Sequence, residues 1–70
     1  MRATPIALTV NGAPRETFAE TLADLIASEE LGEVRIATAV NGTFVAARMR
    51  GAHRLQAGDR IEIVSARQGG

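Results

Sequence analysis

Few side chains in this sequence could carry chemistry. His53 is the only histidine, and cysteine is absent. Without a thiolate or a second imidazole, His53 could hold a metal only with distant carboxylates. It has no evident nucleophile beside it to activate, and its place between Arg50 and Arg54 reads as an exposed loop. The only aspartates are Asp24, which suits a helix start, and Asp59, which follows Gly58 in a turn before a strand. The glycines are scattered, and none precedes a Lys-Ser or Lys-Thr pair, so there is no phosphate-binding loop. Arg48, Arg50, Arg54, Arg60 and Arg67 could meet RNA phosphates. But the chain has no Tyr or Trp to stack on bases, and its two aromatics, Phe18 and Phe44, are assigned to the core. Neither an enzyme nor a nucleic-acid binder is expected.

The reactive group that remains is the main chain itself. Ser65-Ala66-Arg67-Gln68-Gly69-Gly70 is too polar and too short to pack, so residues 65–70 are expected to form a flexible tail after a domain of residues 1–64. Two terminal glycines have no Cβ atoms, so they can thread a narrow channel and bring a carboxylate to another protein's reactive centre. A carboxylate is a poor electrophile until one oxygen becomes a leaving group. An ATP-dependent partner could achieve that by adenylation, which would make Gly70 the carrier of an activated acyl group.

The rest of the chain must hold that tail. Of its 70 residues 46% are apolar, but 13 are alanine, leaving 19 larger apolar side chains. That suffices for one thin core in a single domain, two layers at most. No apolar run approaches a membrane span, and Met1–Val10 lacks a signal-peptide core, so a cytoplasmic domain is expected. Formal charge is zero. It is unevenly spread: Arg15 faces Glu16, Glu20, Asp24, Glu29, Glu30 and Glu33, while arginines dominate after residue 47. Such a dipole can orient a protein on a charged partner, although solvated faces account for the same pattern.

Ile6–Val10 alternates at period two, as a half-buried strand does. Asn11-Gly12 suits a type I′ turn into a return strand, Ala13–Thr17, in which Pro14 cannot donate a ladder bond. Residues 34–40 form another strand candidate, with Asn41-Gly42 turning into Thr43–Val45. In that strand either Ile36, Thr38 and Val40 or the small Ala37 and Ala39 lie against the helix. Residues 46–58 have no clean period, and Ile61–Val64 is the last strand. Between the hairpins, Leu22, Leu25 and Ile26 share a helix face, with Leu31-Gly32 as the stop. Its start is open: Thr17 with Glu20 and Thr21 with Asp24 both fit a capping box. An early start places Phe18 on the apolar stripe; a late one leaves it in the strand.

One helix supplies one apolar stripe, and a sheet of four or five strands has one face for it. The economical packing is an α+β β-grasp: a mixed sheet, the helix across one face, and the first and last strands parallel at the centre. The other face stays open, with Glu62 and Val64 on it beside the tail.

Ala39-Val40-Asn41-Gly42, Val45, Leu55-Gln56-Ala57-Gly58-Asp59-Arg60-Ile61-Glu62-Ile63-Val64 and terminal Gly69-Gly70, taken in that order, resemble the ThiS family, the sulfur carriers of thiamine biosynthesis, which implies a ubiquitin-like β-grasp. The resemblance spans nearly the whole chain and includes Thr21–Ile26, which favours the helix start at Thr21. It implies that Gly70 is adenylated by an activating enzyme using ATP. The adenylate is then converted to a thiocarboxylate with sulfur from a donor such as a cysteine desulfurase, and thiazole synthase takes the sulfur. It further implies that Arg67, Gln68 and Gly69 lead the terminus into partner sites, that Glu62 and Val64 contribute to a partner surface, and that no cofactor is bound. The free protein is expected to be monomeric, with no nucleic-acid or membrane partner. The small subunit of molybdopterin synthase, another sulfur carrier, shares fold and tail. A regulatory or RNA-binding module resembling the TGS domain shares the Val-Asn-Gly turn and the last strand, but has no reason to end in diglycine. Many ThiS relatives have proline and an aromatic where this chain has Ala46 and Arg50, which leaves the course of loop 46–54 open.

Overall fold

The computed structural model describes residues 2–29, 31 and 35–65. Its elements in chain order are β1 (Ile6–Val10), β2 (Ala13–Thr17), α1 (Leu22–Ala27), β3 (Ile36–Val40), β4 (Thr43–Val45), a 3-10 helix (Ala47–Ala52) and β5 (Arg60–Ser65). The strands form one sheet in the order β2-β1-β5-β3-β4. β1 and β5 are parallel, and the other neighbours are antiparallel. This is the expected β-grasp. β2, which contains Pro14, lies at a sheet edge, where a residue without an N–H is tolerated.

Both Asn-Gly pairs form the expected hairpin turns. Asn11 and Gly12 have φ of 52° and 84°, and Asn41 and Gly42 have 53° and 85°. These are the left-handed values of a type I′ turn, whose twist matches that of the strands. Because such a turn allows no slippage, Val40 pairs with Thr43, Ala39 with Phe44 and Thr38 with Val45. The register settles the orientation of β3. Ile36, Thr38 and Val40 face the core, and Ala37 and Ala39 lie on the open face.

The core joins Leu8, Val10, Val40, Val45 and Ile61 from the sheet to Leu22 and Leu25 of α1 and to Leu55, with Ile6, Ile26 and Ile63 packed against it. Phe18 and Phe44 do not belong to it, contrary to expectation: they are 45% and 68% exposed. Phe44 lies on the opposite face of β4 from the buried Val45, and Phe18 follows the end of β2 before α1 begins.

Thr21 is the N-cap of α1, and its Oγ1 accepts the Asp24 N–H at 3.2 Å. Thr17 Oγ1 instead accepts the Ala19 N–H at 3.0 Å, holding the turn between β2 and α1. The Leu22 N–H, one of the orphan donors of the helix start, reaches the His53 carbonyl at 2.9 Å. α1 ends at Ala27, sooner than the expected stop at Leu31-Gly32. Ser28 caps it, and its hydroxyl donates to the Leu25 carbonyl at 2.7 Å. Gly32 lies outside the described residues. Arg15 of β2 pairs with Glu29, just past the helix. Replacing Thr21 by alanine is expected to lower stability by about 1 kcal/mol in urea unfolding. Thr17→Ala should cost less; the reverse order would place the cap at Thr17.

Candidate functional site

β5 occupies the centre of the sheet, and its end is where the sequence leads on toward Gly69-Gly70. Arg67, Gln68, Gly69 and Gly70 lie outside the described residues. Ser65 still belongs to β5, so the strand runs one residue past the expected start of the tail. The described part of the site is therefore the exit of β5 and the sheet face around it.

Along β5, Ile61 and Ile63 point to α1, while Arg60, Glu62 and Val64 lie on the open face. Glu62 is exposed, and Val64 is 61% exposed despite being in a central strand. Both stand on the face where the sequence placed them. Strand register supplies their neighbours: Glu62 pairs with Ala39, which in turn pairs with Phe44, and Val64 pairs with Ala37. Phe44 and Val64 thus flank two alanines whose methyl groups barely cover the β3 backbone. With neighbouring strands about 4.8 Å apart, this forms a shallow apolar floor beside the exit of the central strand. Glu62 supplies a carboxylate within the floor, and Arg60 a cation farther from the exit.

Sequence reasoning missed Phe44, Ala37 and Ala39 as members of this surface. A signal was present: a two-residue turn at Asn41-Gly42 puts Ala39 and Phe44 on one face, and an inward Val40 makes that face the open one.

The other chemically capable residues have structural partners. Asp59 is buried; its Oδ1 accepts Asn41 Nδ2 at 3.0 Å and its Oδ2 the Gln56 N–H at 2.9 Å. His53, expected to be exposed, is half-buried where the 3-10 helix ends, with its carbonyl bound to Leu22. Arg50, one of the arginines weighed for RNA contact, is turned inward: Nε donates to Thr38 Oγ1 at 2.9 Å and Nη2 to the Ile36 carbonyl at 3.0 Å. Loop 46–54 therefore runs as a 3-10 helix tied back to β3. Among the described residues no helix is long and apolar enough to cross a membrane.

Comparison with known proteins agrees with this geometry. The family model for the ThiS family matches residues 8–70. A solved structure, the thiamine biosynthesis protein ThiS from Geobacter metallireducens, superposes with a TM-score of 0.76 at 25% identity, covering 93% of this chain and all of that one. No curated protein sequence matches.

Proposed function

Since the chain belongs to the ThiS family of small sulfur carriers, we propose that it carries sulfur for the thiazole of thiamine as a thiocarboxylate on Gly70. The observation that carries this reading is the central strand β5, which leaves an uncovered sheet face and whose sequence leads within five residues to Gly69-Gly70. In this reading the chain is a protein co-substrate, and ATP is consumed at an adenylating partner. A carboxylate oxygen of Gly70 attacks the α-phosphorus of ATP, and pyrophosphate leaves. The terminal sulfur of a persulfide, supplied through a donor such as a cysteine desulfurase, then displaces AMP to give an acyl disulfide. A second thiol attacks the donor's sulfur, forms a disulfide with it and releases Gly70 with sulfur where one carboxylate oxygen was. Thiazole synthase takes that sulfur. The partners hold the domain on the floor formed by Phe44, Ala37, Ala39 and Val64, with Glu62 on its β5 side, while Arg67, Gln68 and Gly69 lead the terminus inward. The free domain is monomeric and works in the cytoplasm.

Incubation with the adenylating enzyme, ATP and a sulfur donor should raise the intact mass by one oxygen-to-sulfur exchange, located at Gly70. Appending one residue after Gly70 should abolish the change and leave the fold intact, because the reaction needs the free carboxylate at that position. Conversion of the extended chain would place the reactive atom elsewhere, and an unchanged mass with the correct partner would remove the carrier reading. Offering the converted protein separately to thiazole synthase and to the large subunit of molybdopterin synthase distinguishes the two pathways.

A further inference from the structure

β1 and β5 are in parallel register over only two pairs, Thr9 with Arg60 and Val10 with Ile61. At Asn11 the chain turns away into β2, so the backbone of β1 offers β5 nothing beyond Ile61. The Asn11 side chain continues the ladder. Its backbone N–H donates to the Ile61 carbonyl at 2.8 Å. Its Nδ2 donates to the Ile63 carbonyl at 3.1 Å, and its Oδ1 accepts the Ile63 N–H at 2.8 Å. The amide thus acts as one more strand residue, satisfying both backbone groups that Ile63 turns toward β1. The positive φ of the turn is what brings this side chain back alongside β5.

Asn41 grips the opposite end of the same strand. Its backbone N–H donates to the Arg60 carbonyl at 2.8 Å, and its Oδ1 accepts the Arg60 N–H at 2.9 Å. Its remaining donor goes to Asp59. The molecule therefore holds two clamps of the same chemistry in the same turn type, one where β5 enters the sheet and one just before it leaves.

We propose that Asn11 is a positioning residue for the reactive terminus: by clamping Ile63 from the β1 side, while β3 pairs with β5 as far as Ser65 on the other, it fixes the direction in which β5 approaches its end. This rests on the carrier reading above, in which a partner grips the sheet face and must find Gly70 at a fixed reach from it. Geometry errors of about 1 Å can reduce a reaction rate by roughly a hundredfold. A side chain that fixes Ile63, the last residue of β5 held from its β1 side, can therefore affect conversion without touching the reacting atoms.

The test compares Asn11→Gly with Asn41→Gly. Glycine accepts the positive φ at both positions, so each variant keeps its turn and loses only the amide. In the free protein, Ile63 amide hydrogen exchange should accelerate at least about tenfold in Asn11→Gly and little in Asn41→Gly. With the adenylating partner, ATP and sulfur donor, at a temperature where both variants are fully folded, Asn11→Gly should lose about tenfold or more in kcat/KM for thiocarboxylate formation. Asn41→Gly should stay within about threefold. Unchanged Ile63 exchange in Asn11→Gly would overturn the clamp, and this arm needs no partner. Equal losses of conversion in the two variants would reduce Asn11 to a stabilising residue. If wild-type protein is itself not converted, the carrier reading fails, and the positioning role fails with it.

Discussion

Replacing Phe44 by aspartate is expected to leave the fold intact and to slow thiocarboxylation by the adenylating partner by about thirtyfold or more. Phe44 is 68% exposed and contributes nothing to the buried core, so the folded state loses little packing. Its backbone pairing with Ala39 is retained by any L-residue, and aspartate's weaker strand preference costs about 1 kcal/mol at most. On the partner's side the loss is large. A big aromatic beside small neighbours is the kind of anchor that contributes 2 kcal/mol or more at an interface, which is about thirtyfold. A charge there would also have to be desolvated on docking. Met49 provides the control. It is 49% exposed, but it sits on the 3-10 helix, which packs near α1 and away from the open face. Met49→Asp should convert at close to the wild-type rate. Wild-type conversion by Phe44→Asp, or equal impairment by Met49→Asp, would show that docking does not use this face.

Phe44 also shows where the sequence was legible and where it was not. Its type suggested the core, and that inference used composition alone: in a chain with two aromatics and 13 alanines, the large side chains look too valuable to expose. The turn chemistry two residues earlier pointed the other way, and geometry prevailed, because a type I′ turn fixes register and one-residue shifts reverse every side chain. The same rule explains why the architecture was readable. Two Asn-Gly turns, one amphipathic helix and a terminal period-two strand leave little freedom in how the layers close. The helix end was less legible, because Ser28 can satisfy a carbonyl through its hydroxyl and stop a helix before any glycine. The contacts of Asn11 and Asn41 with β5 were out of reach. They join residues 52 and 19 positions apart, and no local pattern marks an amide as a substitute for a strand.

Loop 46–54 has a physical account that rests on Arg50. Thr38 is 2% exposed in the middle of β3, a polar residue in a position that the core would otherwise give to a valine. Its hydroxyl donates to the Val45 carbonyl at 2.8 Å and accepts from Arg50 Nε, while Arg50 Nη2 takes the Ile36 carbonyl. One guanidinium thus ties the 3-10 helix to two points on β3. Hydrogen bonds from a charged donor contribute roughly 1.5–3 kcal/mol, and a group left without its partner costs a similar amount. Arg50→Met should therefore destabilise by about 2 kcal/mol in urea unfolding. In a chain of this size, total stability is only on the order of 4–10 kcal/mol. Thr38→Val alone should also destabilise, because it leaves the guanidinium half-buried without one of its acceptors. The double variant removes both polar partners together, and its cost should fall short of the summed single costs by about 1 kcal/mol or more. Strict additivity would mean that Arg50 and Thr38 act independently and that the loop is held by its apolar contacts alone. Sub-additivity would identify the pair as one polar unit that holds the 3-10 helix against β3.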